Sequence, residues 1–344
     1  MWLGVSRETS AHPQNVGNIV LPPTKYSAIC AGLAETCKET PLTKICDYEG
    51  SRYRSEFWES GNRAYEDAVE RVAMKKLLPP TGNNLIEIGA GFGRLVDLYQ
   101  GYRQIVLLDY ARTQLEEAQR YLGHDDRFIF VVADVYNLPF VSHLFNTLTM
   151  VRVMHHLVNV PGALAEIQRI LRPQGIAVVE HANKLNLKAI ARWTLGRQDW
   201  SPFDPAPIEF VELNFNFHPA WMRRQFAEAG LPVQKIRTLS HYRIDVLKRW
   251  LPTWLLVRLD SLAQPTGRWW QLAPSVFLQA QAQKPAPPES PAGFFRCPTC
   301  KSAALAVTGR RSDSEFVLTC HQCRRGWSFA GGIYDFKTPV QTPA

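Results

Sequence analysis

Apolar positions along the chain follow two rhythms. From Tyr65 they recur every three or four residues at Val69, Val72, Ala73 and Leu77 until Pro79 and Pro80 end the pattern, which predicts one amphipathic helix. Short runs rich in leucine and β-branched residues then appear at 84–88, 104–109, 127–132, 145–151 and 175–180, separated by stretches of helical period. Such alternation predicts parallel strands buried between two layers of helices. In 161–171, Leu164, Ile167 and Leu171 share one face, and Pro161 stands in a first turn, where its missing N–H costs nothing. A helix over 219–230 ends on Gly230, and strands over 233–239 and 275–282 bring the total to seven. The fold class read from this pattern is α/β, a doubly wound, mainly parallel seven-stranded sheet.

Between the last two strands, residues 244–264 are divided by Pro252 into two short amphipathic helices. Leu247, Trp250, Leu251 and Trp254 are expected on one face, with Lys248, Arg249 and Arg258 outside it. The wider stretch 184–270 holds thirteen Lys or Arg against seven Asp or Glu, with seven tryptophans interleaved. That mixture suits a substrate cover facing an aromatic acceptor or a lipid interface; the plainer reading of 244–264 is a lid packed on the sheet. Residues 1–52 show no periodicity and read as a loosely ordered arm, 53–283 as the main domain, and 293–344 as a second, smaller one. Between the two domains, 284–292 has four prolines in nine residues and reads as a stiff spacer.

A length of 344 residues agrees with two domains, and 46% hydrophobic with 20% charged residues excludes a mainly disordered chain. The charge balance, 39 − 31 = +8, suits an anionic substrate, a lipid surface or nucleic acid without choosing among them. The first residues do not read as a secretory signal and no run is apolar enough to span a membrane, so a cytoplasmic location is expected.

The candidate chemistry begins at EIGAGFGRL, 87–95, directly after the first strand and expected to open a helix. Gly89, Gly91 and Gly93 would let the backbone turn sharply and a nucleotide-like ligand approach main-chain N–H groups. Asp109 ends the second strand sixteen residues after Gly93, where a carboxylate can accept from both hydroxyls of a ribose. Asp134 follows the third strand and can accept from an exocyclic adenine amine. The GxGxG spacing differs from the GxGxxG dinucleotide fingerprint and points away from NAD.

Over 53–283 the chain resembles class I S-adenosylmethionine-dependent methyltransferases, a Rossmann-like fold. EIGAGFGR is similar to their first motif, VLLDYA (106–111) to the ribose-binding segment, ADVYNLPF (133–140) to the adenine-binding segment, and MVRVMHHL (150–157) with LRPQG (171–175) to the later ones. The resemblance implies S-adenosyl-L-methionine as cofactor. Glu87 would then orient the methionine amino group, Gly89, Gly91 and Gly93 the methionine part, Asp109 and Tyr110 the ribose, and Asp134 with Val135 the adenine, while Arg152 is a further cofactor contact. Asn146 stands where the family usually has aspartate, at a structural position.

Methyl transfer from a sulfonium needs no covalent residue, but a phenol or enol acceptor benefits from a base. His155 and His156, just past the fourth strand, are the candidates, with His156 slightly favoured; His218 and His241 are weaker ones. The other reading makes one histidine a packing residue and the other a helix cap. The chain has no NPPY-like tetrapeptide after the fourth strand and no cysteine between Cys46 and Cys297, which disfavours methylation of base amines and of pyrimidine carbon. The similarity is instead to the branch that acts on small molecules and quinone or lipid intermediates.

Cys297 and Cys300, then Cys320 and Cys323, form two CxxC pairs separated by nineteen residues, a spacing that predicts structural Zn²⁺. A piece this small depends on its metal, so metal removal is expected to unfold this end alone. Residues 294–338 resemble the zinc-ribbon activator subunit of translation-related methyltransferases. A fused copy could cover the sheet edge of the catalytic domain or present substrate.

The functional expectation is methyl transfer to an oxygen or carbon of a small hydrophobic acceptor. Its alternative is a methyltransferase or cofactor-binding module acting on RNA or a translation component, with the ribbon as docking element. The expected partners are a small-molecule acceptor and peripheral membrane contact through 244–264; nucleic acid stays open, and no obligate protein partner is evident.

Overall fold

The computed structural model describes residues 44–59, 63–287 and 293–341, so most of the 1–52 arm and the end of the proline-rich segment lie outside the described residues. The described residues belong to one compact unit. Its first long helix is α1 (Ala64–Leu77), followed by β1 (Gly82–Ile88), β2 (Tyr102–Asp109), α2 (Arg112–Leu122), β3 (Phe128–Val132) and β4 (Phe145–Met150). Then come α3 (Val160–Ile170), β5 (Leu171–Ala182), α4 (Leu187–Thr194), the hairpin β6 (Ile208–Val211) and β7 (Asn214–Asn216), α5 (Pro219–Glu228) and β8 (Val233–Leu239). The main domain ends with α6 (Asp245–Trp250), α7 (Thr253–Ala263) and β9 (Ser275–Gln281), and a four-stranded ribbon follows: β10 (Leu305–Ser312), β11 (Glu315–Cys320), β12 (Gly326–Ala330) and β13 (Ile333–Val340).

All seven strands read from the sequence are present, in the order β3-β2-β1-β4-β5-β9-β8, with β9 running against its two neighbours. Successive residues of β1 serve opposite faces: Ile86 and Ile88 join one buried cluster and Leu85 the other. The order reverses between β1 and β4, which leaves a crevice beyond the carboxyl ends of those strands, the usual ligand position in open α/β sheets. Asn146 is structural, since its Oδ1 accepts from the N–H groups of Asn83 and Asn84 at 3.2 and 3.1 Å and ties β4 to the start of β1.

One local expectation fails. No α-helix follows the glycine loop; the 13 residues between Ile88 and Tyr102 contain only a 3-10 turn, Val96–Leu98. The Arg71 guanidinium takes Asp97 at 2.6 Å and the Arg94 carbonyl at 2.7 Å, which folds this short crossover against α1.

The sheet does not stop at β3. Strand β13 pairs with it in parallel, Ile333 opposite Phe130 and Asp335 opposite Val132, so the ribbon extends the sheet to eleven strands. Phe294 and Phe295 pack on Phe140 and Phe145, while Cys297, Cys320, Trp327 and Phe336 belong to the same buried cluster as β1 and β4. The Arg296 guanidinium meets Glu166 of α3 at 3.1 Å. The ribbon is thus docked on the main domain, not held away from it by a spacer, and Lys284 bonds the Arg169 carbonyl at 3.1 Å.

Candidate functional site

The crevice holds a cavity of about 320 Å³, within the range of small-ligand sites. One wall comes from three strand ends. Gly89 and Gly91 follow β1 with φ of +71° and +52°. A Cβ on Gly89 would lie 2.1 Å from Val153 Cγ2, whereas a Cβ on Gly91 would enter open space beside the cavity. Asp109 fixes this loop: its two oxygens accept from Gly91 N–H at 2.8 Å and Ala111 N–H at 3.0 Å. Burial raises the Asp109 pKa against the opposing pull of those N–H groups. Asp134 accepts from Tyr136 N–H at 2.9 Å, and burial raises its pKa as well.

Glu87 sits under the loop, 4% exposed, and its Oε2 has no hydrogen-bond partner among the described residues. Burial pushes its carboxyl up to about 8. An orphaned acid at the floor of a glycine-walled cavity fits a ligand that brings an ammonium donor, and the methionine part of S-adenosylmethionine carries one. The residues present therefore fit that cofactor. Glu87, Gly89, Gly91, Asp109, Tyr110, Asp134 and Val135 all line the cavity. Gly93 does not; it is a turn residue at φ +78° whose added Cβ would strike Leu122.

Arg152 lines the cavity and is also tied into its wall, while its buried Nε has no hydrogen-bond partner among the described residues. Its guanidinium pairs with Glu70 and lies 5.0 Å over the Trp58 ring, and its N–H donates to Glu180 at 3.0 Å. Glu70 also holds Arg94 at 2.6 Å, so Arg152 belongs to a buried charge network that stiffens the wall.

The facing wall comes from segments far apart in sequence. Tyr48, Tyr53, Phe57 and Trp58 line it, joined by His155, His156 and Asn214. Residues 44–52, assigned to the arm by sequence, are part of the site: Glu49 accepts from Arg112 N–H at 2.7 Å, Asp47 binds Lys337 of β13 at 2.9 Å, and Lys44 pairs with Glu212 at the tip of the β6–β7 hairpin. That tip also carries Leu213, held at φ +54°, whose carbonyl lies 2.8 Å from His156 Nδ1.

A carbonyl can only accept, so Nδ1 must carry the proton and Nε2 must be the bare nitrogen. Tyr48 Oη lies 3.1 Å from Nε2 and donates to it. Burial lowers the His156 pKa, which keeps the ring neutral near pH 7. His155 lies 4.1 Å away ring to ring, and burial with the neighbouring His156 and Arg152 lowers it to about 3. The two weaker histidine candidates are structural. His218 Nδ1 accepts from Ala220 N–H at 3.2 Å and caps α5, while His241 is held by the buried Asp260 at 3.0 Å.

Residues 86–179 match the family model described as a methyltransferase domain. Over these residues the chain is similar to a methyltransferase domain. It is 31% identical over 115 residues to a demethylmenaquinone methyltransferase of Clavibacter sepedonicus, covering 33% of this chain and 47% of that protein. It is 27% identical over 135 residues to the ubiquinone/menaquinone biosynthesis C-methyltransferase of Paracoccus denitrificans, covering 37% and 53%. A solved S-adenosylmethionine-dependent methyltransferase from Mesorhizobium loti is similar at TM-score 0.46 and 17% identity, covering 63% of this chain and all of that one. The chain spans about half the length of the curated relatives it matches.

Outside the matched segment, the four ribbon cysteines place their sulfurs within 4.8 Å of one another, with Cys297 to Cys323 at 3.6 Å and Cys300 to Cys320 at 3.4 Å. Both knuckles close alike: Lys301 N–H donates to the Cys297 carbonyl and Arg324 N–H to the Cys320 carbonyl, each at 2.9 Å and each from a residue with positive φ.

Sequence reading missed Tyr48, Tyr53, Phe57, Trp58, Leu213 and Asn214. The aromatic run that begins at Tyr53 was a visible signal for three of them. Nothing local marks Tyr48 or Leu213, which come to the site on the 44–52 segment and on the folded hairpin respectively.

Proposed function

We propose that the protein transfers a methyl group to an oxygen or carbon of a small, hydrophobic, quinone-type acceptor. The observation that carries this reading is the aromatic wall of Tyr48, Tyr53, Phe57 and Trp58 beside a neutral histidine whose Nε2 accepts from the Tyr48 hydroxyl. The relatives named for quinone methylation support the acceptor class. S-adenosylmethionine supplies the activated methyl group. Glu87, Gly91, Asp109 and Asp134 hold it, and the aromatic wall excludes water and positions a flat acceptor. An acceptor hydroxyl passes its proton to Tyr48 Oη while Tyr48 passes its own to His156 Nε2, and the Leu213 carbonyl stabilises the imidazolium through Nδ1–H. The test is transfer of labelled methyl from S-adenosylmethionine to a panel of reduced naphthoquinones and benzoquinones, with phenols and bulk RNA as competitors. Transfer to RNA with none to the quinols would overturn the acceptor assignment.

In the ribbon we propose structural Zn²⁺ held by Cys297, Cys300, Cys320 and Cys323. Ligands at about 2.3 Å in a tetrahedron place sulfurs about 3.8 Å apart, in keeping with the observed separations. Because the ribbon shares a buried cluster and a strand pair with the main domain, chelation or Cys320→Ser is expected to lower the main melting transition in calorimetry. Loss of a small separate transition with the main one unmoved would contradict this.

A further inference from the structure

The helices over 244–264 are turned differently from the sequence expectation. Leu247 and Leu251 pack inward, but Lys248 also points inward, to Glu66 at 3.0 Å, while Trp250 and Trp254 are 79% and 66% exposed. The orientation of α7 is fixed by Asp260, fully buried, which accepts from Tyr65 Oη at 2.7 Å and His241 N–H at 2.9 Å. With Leu256 and Asp260 facing in, helical spacing sends Trp254, Arg258 and Leu262 out in one column with Leu259 beside it. A helix apolar on its outer face as well as its inner one needs a second apolar surface.

The neighbouring chain continues this character. Trp269 and Trp270, 64% and 59% exposed, follow α7, with the Arg268 guanidinium 4.8 Å over the Trp269 ring. Helix α4 starts beside this chain, since Leu187 N–H bonds the Leu272 carbonyl at 2.9 Å, and it adds exposed Leu187 and Trp193, with Leu195 just past its end. The charges here are mostly basic. Lys188, Arg192, Arg197, Arg249, Arg258 and Arg268 are exposed, against the buried Asp260 and the exposed Asp245 that begins α6, with Asp199 beyond the end of α4. This cover is continuous with the site: Lys184 N–H bonds the Phe217 carbonyl at 3.0 Å, one residue past β7, which brings Asn214 to the cavity.

We propose that this face, α4 together with α6, α7 and Trp269–Trp270, docks on an anionic lipid surface. Tryptophan and leucine enter the boundary between headgroup and acyl chain while the arginines and Lys188 meet lipid phosphates. Exposed Leu259, Leu262, Val246 and Ile244 favour this over RNA, because aliphatic side chains gain from hydrocarbon and offer no stacking face. The inference agrees with a hydrophobic acceptor but does not depend on one, and its test needs neither acceptor nor cofactor.

The experiment is co-flotation of the full chain with phosphatidylcholine–phosphatidylglycerol vesicles and with pure phosphatidylcholine vesicles, alongside quenching of tryptophan fluorescence by brominated acyl chains. Binding to the anionic vesicles, weakened by salt, with quenching that falls in W250A/W254A, is expected. That variant should bind at least about tenfold more weakly while its melting temperature stays unchanged, since neither side chain packs in the core. R258E/R268E should lose binding to the anionic vesicles alone. Absence of vesicle binding overturns the proposal, as does binding that the tryptophan changes leave intact. It is equally overturned if the same variants instead abolish RNA binding or dissociate a dimer of the chain.

Discussion

The two walls of the cavity are built by opposite strategies. The glycine-loop wall is made by residues next to strand ends, Gly89, Gly91, Asp109 and Asp134, each held by backbone contacts within a few residues or across adjacent strands. The aromatic wall is assembled from residues 48–58, the 3-10 turn at Met154–His156 and a hairpin tip near 213, joined by a few long-range polar contacts. The first wall is a property of the sheet; the second exists only when separate segments meet. Changes to the two walls should therefore separate binding from turnover.

Asp109→Ala should have the largest effect. It removes the acceptor for two backbone N–H groups that shape the glycine loop, and calorimetry should show S-adenosylmethionine affinity falling by about a hundredfold or more. Retained affinity would show that the wall does not depend on that carboxylate. His156→Ala should leave affinity unchanged and lower kcat by about a hundredfold. In the wild type, kcat should fall as pH drops through the His156 pKa. That limb lies below 6.5, because burial favours the neutral ring and only the neutral ring accepts a proton. A flat acid limb in single-turnover measurements would remove His156 from the reaction.

Tyr48→Phe keeps the ring and deletes the hydroxyl through which the proton reaches Nε2, so a loss in kcat of the same order as for His156→Ala is expected, with cofactor affinity unchanged. The mildest effect belongs to Glu87. With its carboxyl raised to about 8, it is protonated at pH 7 in the free protein and must ionise to pair with an ammonium group, so affinity should rise about fivefold from pH 7 to pH 8. Titrations in buffers of different ionisation enthalpy should show proton release on binding, and Glu87→Gln should abolish it.

Much of the glycine-loop wall of the cavity was legible in advance because its geometry is local: a glycine needing positive φ and an acid at a strand end both leave a mark in a few adjacent letters. The exceptions are instructive. Gly93 matched the pattern but lies off the cavity, in the turn against Leu122, and Arg152 lines the cavity but is also paired with Glu70. In both cases a neighbour distant in sequence, invisible to the motif, shapes what the residue does.

The sequence alone determined the seven strands, their alternation with helices, the glycine loop with its acids, and the four cysteines, since periodicity and spacing specify local geometry and metal-ligand sets directly. Tertiary structure decided the rest. Edge pairing turned an expected tethered ribbon into four further strands of the main sheet, because an open β3 edge presents N–H and C=O groups that β13 satisfies. The hairpin tip chose the His156 tautomer, because a carbonyl from residue 213 cannot be assigned to a ring at 156 before both are placed. Buried Asp260 turned the outer face of α7 toward solvent, because a helix apolar on several sides does not announce which side the core will take.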